Sequence, residues 1–175
     1  QNIDITNNTA VTTGTFDGVH LGHEKILNSL VNEARNKGLE SVVLTFWPHP
    51  RNVLRSDVPL VLLSSLEEKI NLLKPYNIDH LVVIEFTKEF SELKSKDFLN
   101  DIIQDKLNTK LLIIGYDHRF GKNQEGSFEY ISKHQNEYSF AIKEIECQDV
   151  DSLTVSSTEI RKALLSGAIE QAEKL

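Results

Sequence analysis

Cysteine is almost missing from this 175-residue chain, where Cys147 stands alone. An internal disulfide is therefore excluded, and such usage fits a reducing, cytoplasmic setting. Cys147 has no Cys or His neighbour at metal-ligand spacing and reads as a strand residue. No apolar run is long enough to cross a bilayer, and no signal-peptide pattern opens the sequence. Repeats, low-complexity tracts and linkers are lacking too, so one domain of ordinary size is expected. Proline is sparse, and three of its four occurrences, Pro48, Pro50 and Pro59, crowd into one segment. Positive charge is in deficit: 19 Lys and Arg face 26 Asp and Glu, a net charge of −7. That balance excludes a general binder of nucleic acid or of anionic membranes. It would also repel a small anion, so any phosphate site must gather positive charge locally.

What is present suffices for a core. Hydrophobic residues make up 39% and charged residues 26%, which argues against wholesale disorder. Residues 9–15 read as a buried strand closed by Gly14, and 21–37 as a helix with Leu27, Leu30, Val31 and Ala34 on one face. Strands are predicted at 41–46, 80–85, 111–115 and 139–146, with a short one near 150–155. Their near-continuous apolar runs suit a parallel sheet covered on both sides. Between 47 and 64 the prolines forbid regular structure over most of the segment. A helix at about 65–74 opens on a capping box, Ser65 with Glu68, and ends at Pro75. Ser95 can cap a helix carrying Phe98, Leu99, Ile102 and Ile103. A short helix follows at 127–136. Ser156 and Glu159 repeat the capping-box spacing before a helix that Gly167 ends, and AIEQAEKL continues in helical pattern. Alternating strands and helices imply a Rossmann-like, doubly wound α/β fold, with ligands beyond the carboxyl ends of the strands.

Four segments carry chemistry. In AVTTGTFDGVHLGHEKIL, a strand and a glycine-bearing turn lead into a helix start holding His20 and His23. The first turn of a helix offers unpaired N–H groups and partial positive charge, so phosphate is its natural ligand. Gly22 between the histidines has no side chain to block a ligand from the backbone. Imidazole donates to phosphate oxygens whether neutral or charged. No third ligand accompanies the pair, so a zinc site is disfavoured. In SSTEIR, Ser156, Ser157 and Thr158 open a second helix, and Arg161 lies one turn in, able to fork onto phosphate. Taken alone, that segment is a helix cap with an arginine on its solvent face. The loop Gly115-Tyr116-Asp117-His118-Arg119-Phe120-Gly121-Lys122 mixes aromatic and cationic side chains between glycines. The turn Thr45-Phe46-Trp47-Pro48-His49-Pro50-Arg51 could lay Phe46 or Trp47 over a flat ligand.

In this order and at these spacings, GTFDGVHLGH, TFWPHP, GYDHRFG and SSTEIR resemble the adenylyltransferase module of bacterial bifunctional riboflavin kinase/FAD synthetase, within the nucleotidyltransferase superfamily. The resemblance implies the reaction FMN + ATP → FAD + pyrophosphate with Mg²⁺. It implies that His20 and His23 hold ATP phosphates and, with Ser157, Thr158 and Arg161, form the catalytic set. Gly14, Thr15, Phe16, Asp17, Gly22, Gly115, Asp117 and Ser156 would complete the ATP site, with Asp117 near the metal. Phe46, Pro48, His49, Pro50, Arg51, Arg119, Phe120 and Lys122 would shape the FMN side. Trp47 stands where the family pattern suggests a smaller or acidic residue, and His118 where it suggests an aromatic. The family's β-barrel riboflavin kinase domain is expected to be absent from this chain, and no kinase activity is expected of it.

The implied mechanism is direct in-line attack by an FMN phosphate oxygen on the α-phosphorus of ATP. The nucleophile is already an anion, so positioning and charge neutralisation should dominate over base catalysis. Two alternatives stay open. One is a related transferase acting on nicotinamide mononucleotide, phosphopantetheine or glycerol phosphate. The other is a flavin- or nucleotide-binding module without turnover.

Overall fold

A computed structural model describes residues 5–58, 60–146, 149–150 and 153–175. Five strands form one all-parallel sheet in the order β3-β2-β1-β4-β5. They are β1 (Thr9–Thr13), β2 (Glu40–Trp47), β3 (His80–Glu85), β4 (Thr109–Gly115) and β5 (Ala141–Ile145). The chain winds outward from β1 to β3 and then crosses back to β4. The order therefore reverses between β1 and β4, the position where doubly wound sheets open a crevice for ligands.

Strand periodicity sorts the core into two layers. Ala10, Val43, Leu111 and Ile113 face α1 (Leu21–Lys37), which buries Leu27, Leu30 and Ala34 against them. Val11, Val42, Leu44, Leu112 and Ile114 face the other way, onto Phe98, Leu99, Ile102, Ile103 and Ile131. With both faces covered, the central strands carry apolar side chains at nearly every position. Gly38, in the left-handed conformation at φ 63°, stops α1.

The 47–64 segment differs from expectation. A short helix, α2 (Pro50–Leu54), forms there, because Pro50 sits at a first-turn position where a missing N–H costs nothing. The stretch then leads to α3 (Leu66–Leu73), whose capping box from Ser65 and Glu68 is formed in both directions. Pro75 does not stop the chain at once but falls within a 3₁₀ turn, Lys74–Tyr76. Beyond β3 lies α4 (Lys88–Ser91).

Ser95 does not cap the next helix. It is the first residue of α5 (Ser95–Asp97), and its hydroxyl donates to Phe120 O at 3.2 Å. From Phe98 to Lys106 the helix widens into a π-helix, so Leu107 N–H donates five residues back to Ile102 O at 3.0 Å. The expected apolar face survives, because Phe98, Leu99, Ile102 and Ile103 are all buried. After β4 come α6 (Phe128–Lys133), β5 and two short antiparallel strands, β6 (Asp149–Val150) and β7 (Leu153–Thr154), in place of one near 150–155. The reading of Cys147 as a strand residue, and Pro59, lie outside the described residues. The chain closes with α7 (Ser157–Leu165) and α8 (Ile169–Glu173).

Candidate functional site

A cleft of about 1140 Å³ opens at the carboxyl edge of the sheet, over the β1/β4 switch. One wall begins at the loop after β1. Phe16 and Val19 take left-handed backbone at φ 47° and 43°. Neither a bulky nor a β-branched residue accepts that region without strain. Phe16 is held there by burial, and Asp17 by a set of bonds. The N–H groups of Leu63 and Ser64 each donate to Asp17 Oδ1 at 3.0 Å, and Arg161 Nη2 donates to Asp17 Oδ2. Arg161 Nε also donates to Val61 O at 2.7 Å. Asp17 is buried and Arg161 largely covered.

The histidines open α1. His20 is its N-cap, and its Nδ1 accepts from the His23 N–H at 3.4 Å. An acceptor Nδ1 puts the proton on Nε2, so neutral His20 keeps one N–H to donate. The two rings stack with centroids 3.7 Å apart, and His23 also meets Phe16 at 5.0 Å. Fewer backbone N–H groups are free here than the sequence suggests. Leu21 N–H donates to Leu175 O at 3.0 Å, and the His23 N–H is taken by His20. Gly22 N–H has no partner among the described residues. A Cβ on Gly22 would lie 3.2 Å from the His20 ring, so glycine suits the close approach.

The start of α7 lines the same cleft. The Ser156 hydroxyl accepts from the Glu159 N–H, and the Ser157 hydroxyl donates to Asp17 O at 2.9 Å. Those two hydroxyls therefore hold the protein to itself. The N–H groups of Ser157 and Thr158 have no partner among the described residues, and both residues line the cleft.

The far end of the cleft is apolar. Phe46 meets Phe86 at 5.7 Å and Phe90 at 5.8 Å, and Phe98 meets Phe120 at 5.5 Å. Phe86 and Phe90 come from the loop after β3 and from α4, which the sequence reading did not single out. Their only sequence signal is aromatic residues just past a strand end. His118 lies 5.7 Å from Phe120 in near-parallel stacking, so it takes an aromatic's place in packing. Gly121, at φ 73°, lies so close to Ser95 that no side chain fits. Arg51, Arg55, Arg119 and Arg161 all line the cleft, gathering positive charge at one edge of an acidic protein.

Gly14, Thr15, Phe16, His20, Gly22, His23, Phe46, His49, Pro50, Arg51, Gly115, Asp117, Arg119, Phe120 and Ser156 to Thr158 line this cleft with Arg161. Three expected residues do not. The Asp17 carboxylate is enclosed by Leu63, Ser64 and Arg161, so it positions the arginine rather than facing a ligand. Lys122 turns to Glu92 in a 2.6 Å ion pair. Pro48, which follows Trp47 in a cis peptide bond, lies off the cleft lining, as does Trp47. The Trp47 ring covers Lys69 instead, 5.6 Å from Nζ.

Burial keeps the site's histidines neutral. It pushes His20, His49 and His118 down to about 4, and His23 well below its ordinary value. At His20 the carboxylates of Asp117 and Asp17 oppose that trend. Thr13 Oγ1, His23 Nδ1 and His118 Nε2 are sealed without a hydrogen-bond partner, and all three residues line the cleft. Orphaned polar atoms gathered in a cleft point to a polar ligand. The shifts also set an acid limit. Unfolded histidines bind protons as pH falls below 6.5, whereas His118 stays neutral to about 4. Stability should therefore be full above that unfolded value and decline between the two. Thermal melts from pH 7.5 to 4.5 should show this, with a shallower slope in His118→Phe. An equal slope in both proteins would remove His118 from the account.

Among the described residues, no three His, Cys, Asp or Glu side chains gather as a metal cage. An exposed carboxylate, Asp117, does stand on the cleft wall. Magnesium commonly takes one or two carboxylates and completes its shell with phosphate and water, and this donor set fits that mode. Likewise, no helix among the described residues is long and apolar enough to cross a membrane.

A parallel sheet wound in this order, with two helix starts lining one cleft at its switch point, defines a Rossmann-like α/β domain. The fold is shared with the pantoate-β-alanine ligase of Francisella tularensis (TM-score 0.55, 19% identity, 95% of this chain and 69% of that one). A Streptococcus pneumoniae structure described as a macrolide-efflux protein superposes with a TM-score of 0.85 at 25% identity, covering 99% of this chain and 57% of that one. The chain belongs to the FAD synthetase family, whose profile matches residues 2–159. It is 35% identical over 172 residues to the bifunctional riboflavin kinase/FMN adenylyltransferase of Buchnera aphidicola (subsp. Acyrthosiphon pisum), covering 98% of this chain and 55% of that protein. The Escherichia coli K12 protein of the same name is 33% identical, with 94% and 53% covered. The chain thus spans about half the length of the curated relatives it matches.

Proposed function

We propose that this chain transfers AMP from ATP to FMN, giving FAD and pyrophosphate. One observation carries the reading: a single cleft joins an end built from two helix starts to a phenylalanine-lined end. ATP phosphates would lie between His20, Gly22 and His23 on α1 and the Ser157 and Thr158 N–H groups and Arg161 on α7. The flat flavin ring would enter among Phe46, Phe86, Phe90 and Phe120, with Arg51 and Arg119 near its phosphate.

An FMN phosphate oxygen attacks the α-phosphorus in line, and the bond from that phosphorus to the bridging oxygen breaks. Pyrophosphate leaves with the electron pair, so no covalent enzyme intermediate is needed. Asp117 would hold Mg²⁺ together with the phosphates, where the ion offsets their charge. His20 donates from Nε2, and His23 steadies the charge that moves onto the leaving group. Water is excluded at the flavin end by the phenylalanines.

Incubation with FMN, ATP and Mg²⁺, read by chromatography, should yield FAD and pyrophosphate. Binding of both nucleotides with neither product would make the chain a binding module. Unchanged FMN fluorescence together with turnover of another phosphate ester would make it a different nucleotidyltransferase. This reading gives the chain no riboflavin kinase activity, so riboflavin and ATP alone should give no FMN.

Neutral histidines beside an arriving polyanion gain affinity for protons. MgATP binding should therefore take up protons, increasingly so from pH 8 to 6. Calorimetry in buffers of different ionisation enthalpy measures this directly. No proton exchange at any of these pH values would mean that the rings act only as neutral donors.

A further inference from the structure

Lys69 is the one lysine among the fully buried side chains, with 1% of its surface exposed. It forms no salt bridge with a described carboxylate. Nζ reaches Thr45 Oγ1 at 3.5 Å and faces the Trp47 ring at 5.6 Å. Buried cations are rare without a partner, and a methionine would fill the same space without burying charge. The surroundings indicate what the charge is for. Thr45 Oγ1 passes its own hydrogen to Thr15 O at 3.2 Å, two residues before Asp17. Lys69 lies in α3, and Ser64, directly before the α3 cap, donates to Asp17 from its N–H and its hydroxyl. Lys69 and Asp17 are thus linked through Thr45 and through the start of α3, while Arg161 holds the carboxylate in a direct ion pair. His23 and His49 also lie within electrostatic reach of the ammonium, and both are neutral.

A buried carboxylate one guanidinium away from a triphosphate works against binding. Paired only with Arg161, it cancels the charge that the phosphates need. We propose that Lys69 is a positioning residue of the transfer site. Its ammonium offsets the Asp17 carboxylate, so Arg161 stays oriented by Asp17 yet meets phosphate with an uncompensated positive charge. Asp17, Arg161 and Lys69 then act as one unit with a net charge of plus one. Burial lowers the Lys69 pKa below its ordinary value, and the Asp17 carboxylate opposes that shift.

The inference rests on the adenylyl-transfer reading, and the test separates the two. MgATP affinity is measured by calorimetry on the intact chain, on Lys69→Met, on Asp17→Asn and on the double variant, with melting curves for each. Lys69→Met should melt at or above the wild-type temperature yet bind MgATP at least ~10-fold more weakly. KM for ATP should rise more than kcat falls. In the Asp17→Asn background the same change should cost less than about twofold, because the charge to be offset is gone. If the methionine variant does not fold, Lys69→Gln gives the same comparison. Wild-type affinity in the neutral variant, or an equal loss in both backgrounds, overturns the role of Lys69 alone. A wild-type chain that binds no MgATP overturns the adenylyl-transfer reading, and this one with it.

Discussion

Arg161→Met should lower the melting temperature by roughly 10 °C and turnover by at least ~100-fold. Two separate losses produce this. Arg161 is 11% exposed and Asp17 only 2%, so removing the guanidinium strands a carboxylate in a dry site. Breaking one side of a buried ion pair costs about 3–5 kcal/mol, because the remaining charge cannot hydrate and has lost its direct ionic partner. The bonds from Leu63 and Ser64 persist and cap the damage. The catalytic loss is independent, since a fork-shaped donor to phosphate disappears from the start of α7. Differential scanning calorimetry and initial rates of FAD formation read the two effects apart. Adding Asp17→Asn should restore most of the melting temperature and none of the rate. Recovery of both together would mean that Arg161 serves the fold only.

The second large effect is expected at His23. His23→Ala should reduce kcat at least ~100-fold while KM for ATP changes little. Its ring is stacked on His20 at 3.7 Å, and its Nδ1 is sealed without a partner. A group poised this way contributes most when charge moves onto the leaving pyrophosphate. His23 stands on the cleft wall outside the two core layers, so the fold should persist when its ring is removed. Near-normal turnover in this variant would end the catalytic role, and a raised KM at unchanged kcat would reduce it to ground-state binding.

Local chemistry made much of this molecule readable in advance. The Ser65–Glu68 box, the Gly38 stop and the near-continuous apolar strands depend on neighbours a few residues apart, and each formed as expected. The clustering of HLGH, the GYDHRFG loop and SSTEIR at one edge follows from the sheet being parallel throughout. Less local features stayed hidden. Ser95 looks like a helix cap until Gly121, 26 positions on, packs against it. Lys122 looks like a ligand residue until Glu92 takes it.

Strand positions, helix faces, two capped helix starts and the family resemblance were written in the sequence itself. The elements rest on propensity and periodicity, which act over single turns and strands, and the resemblance rests on four motifs in a fixed order. The tertiary structure alone decided which charges remain available. Asp17 and Arg161 are 144 residues apart and meet only because β1 and α7 border one crevice. Lys69 reads as an ordinary helix lysine, and only the packing of α3 beneath Trp47 makes it a buried charge. Histidine protonation, too, followed from burial. Solvent exclusion and long-range Coulomb interactions belong to the assembled fold, so no short stretch of sequence carries them.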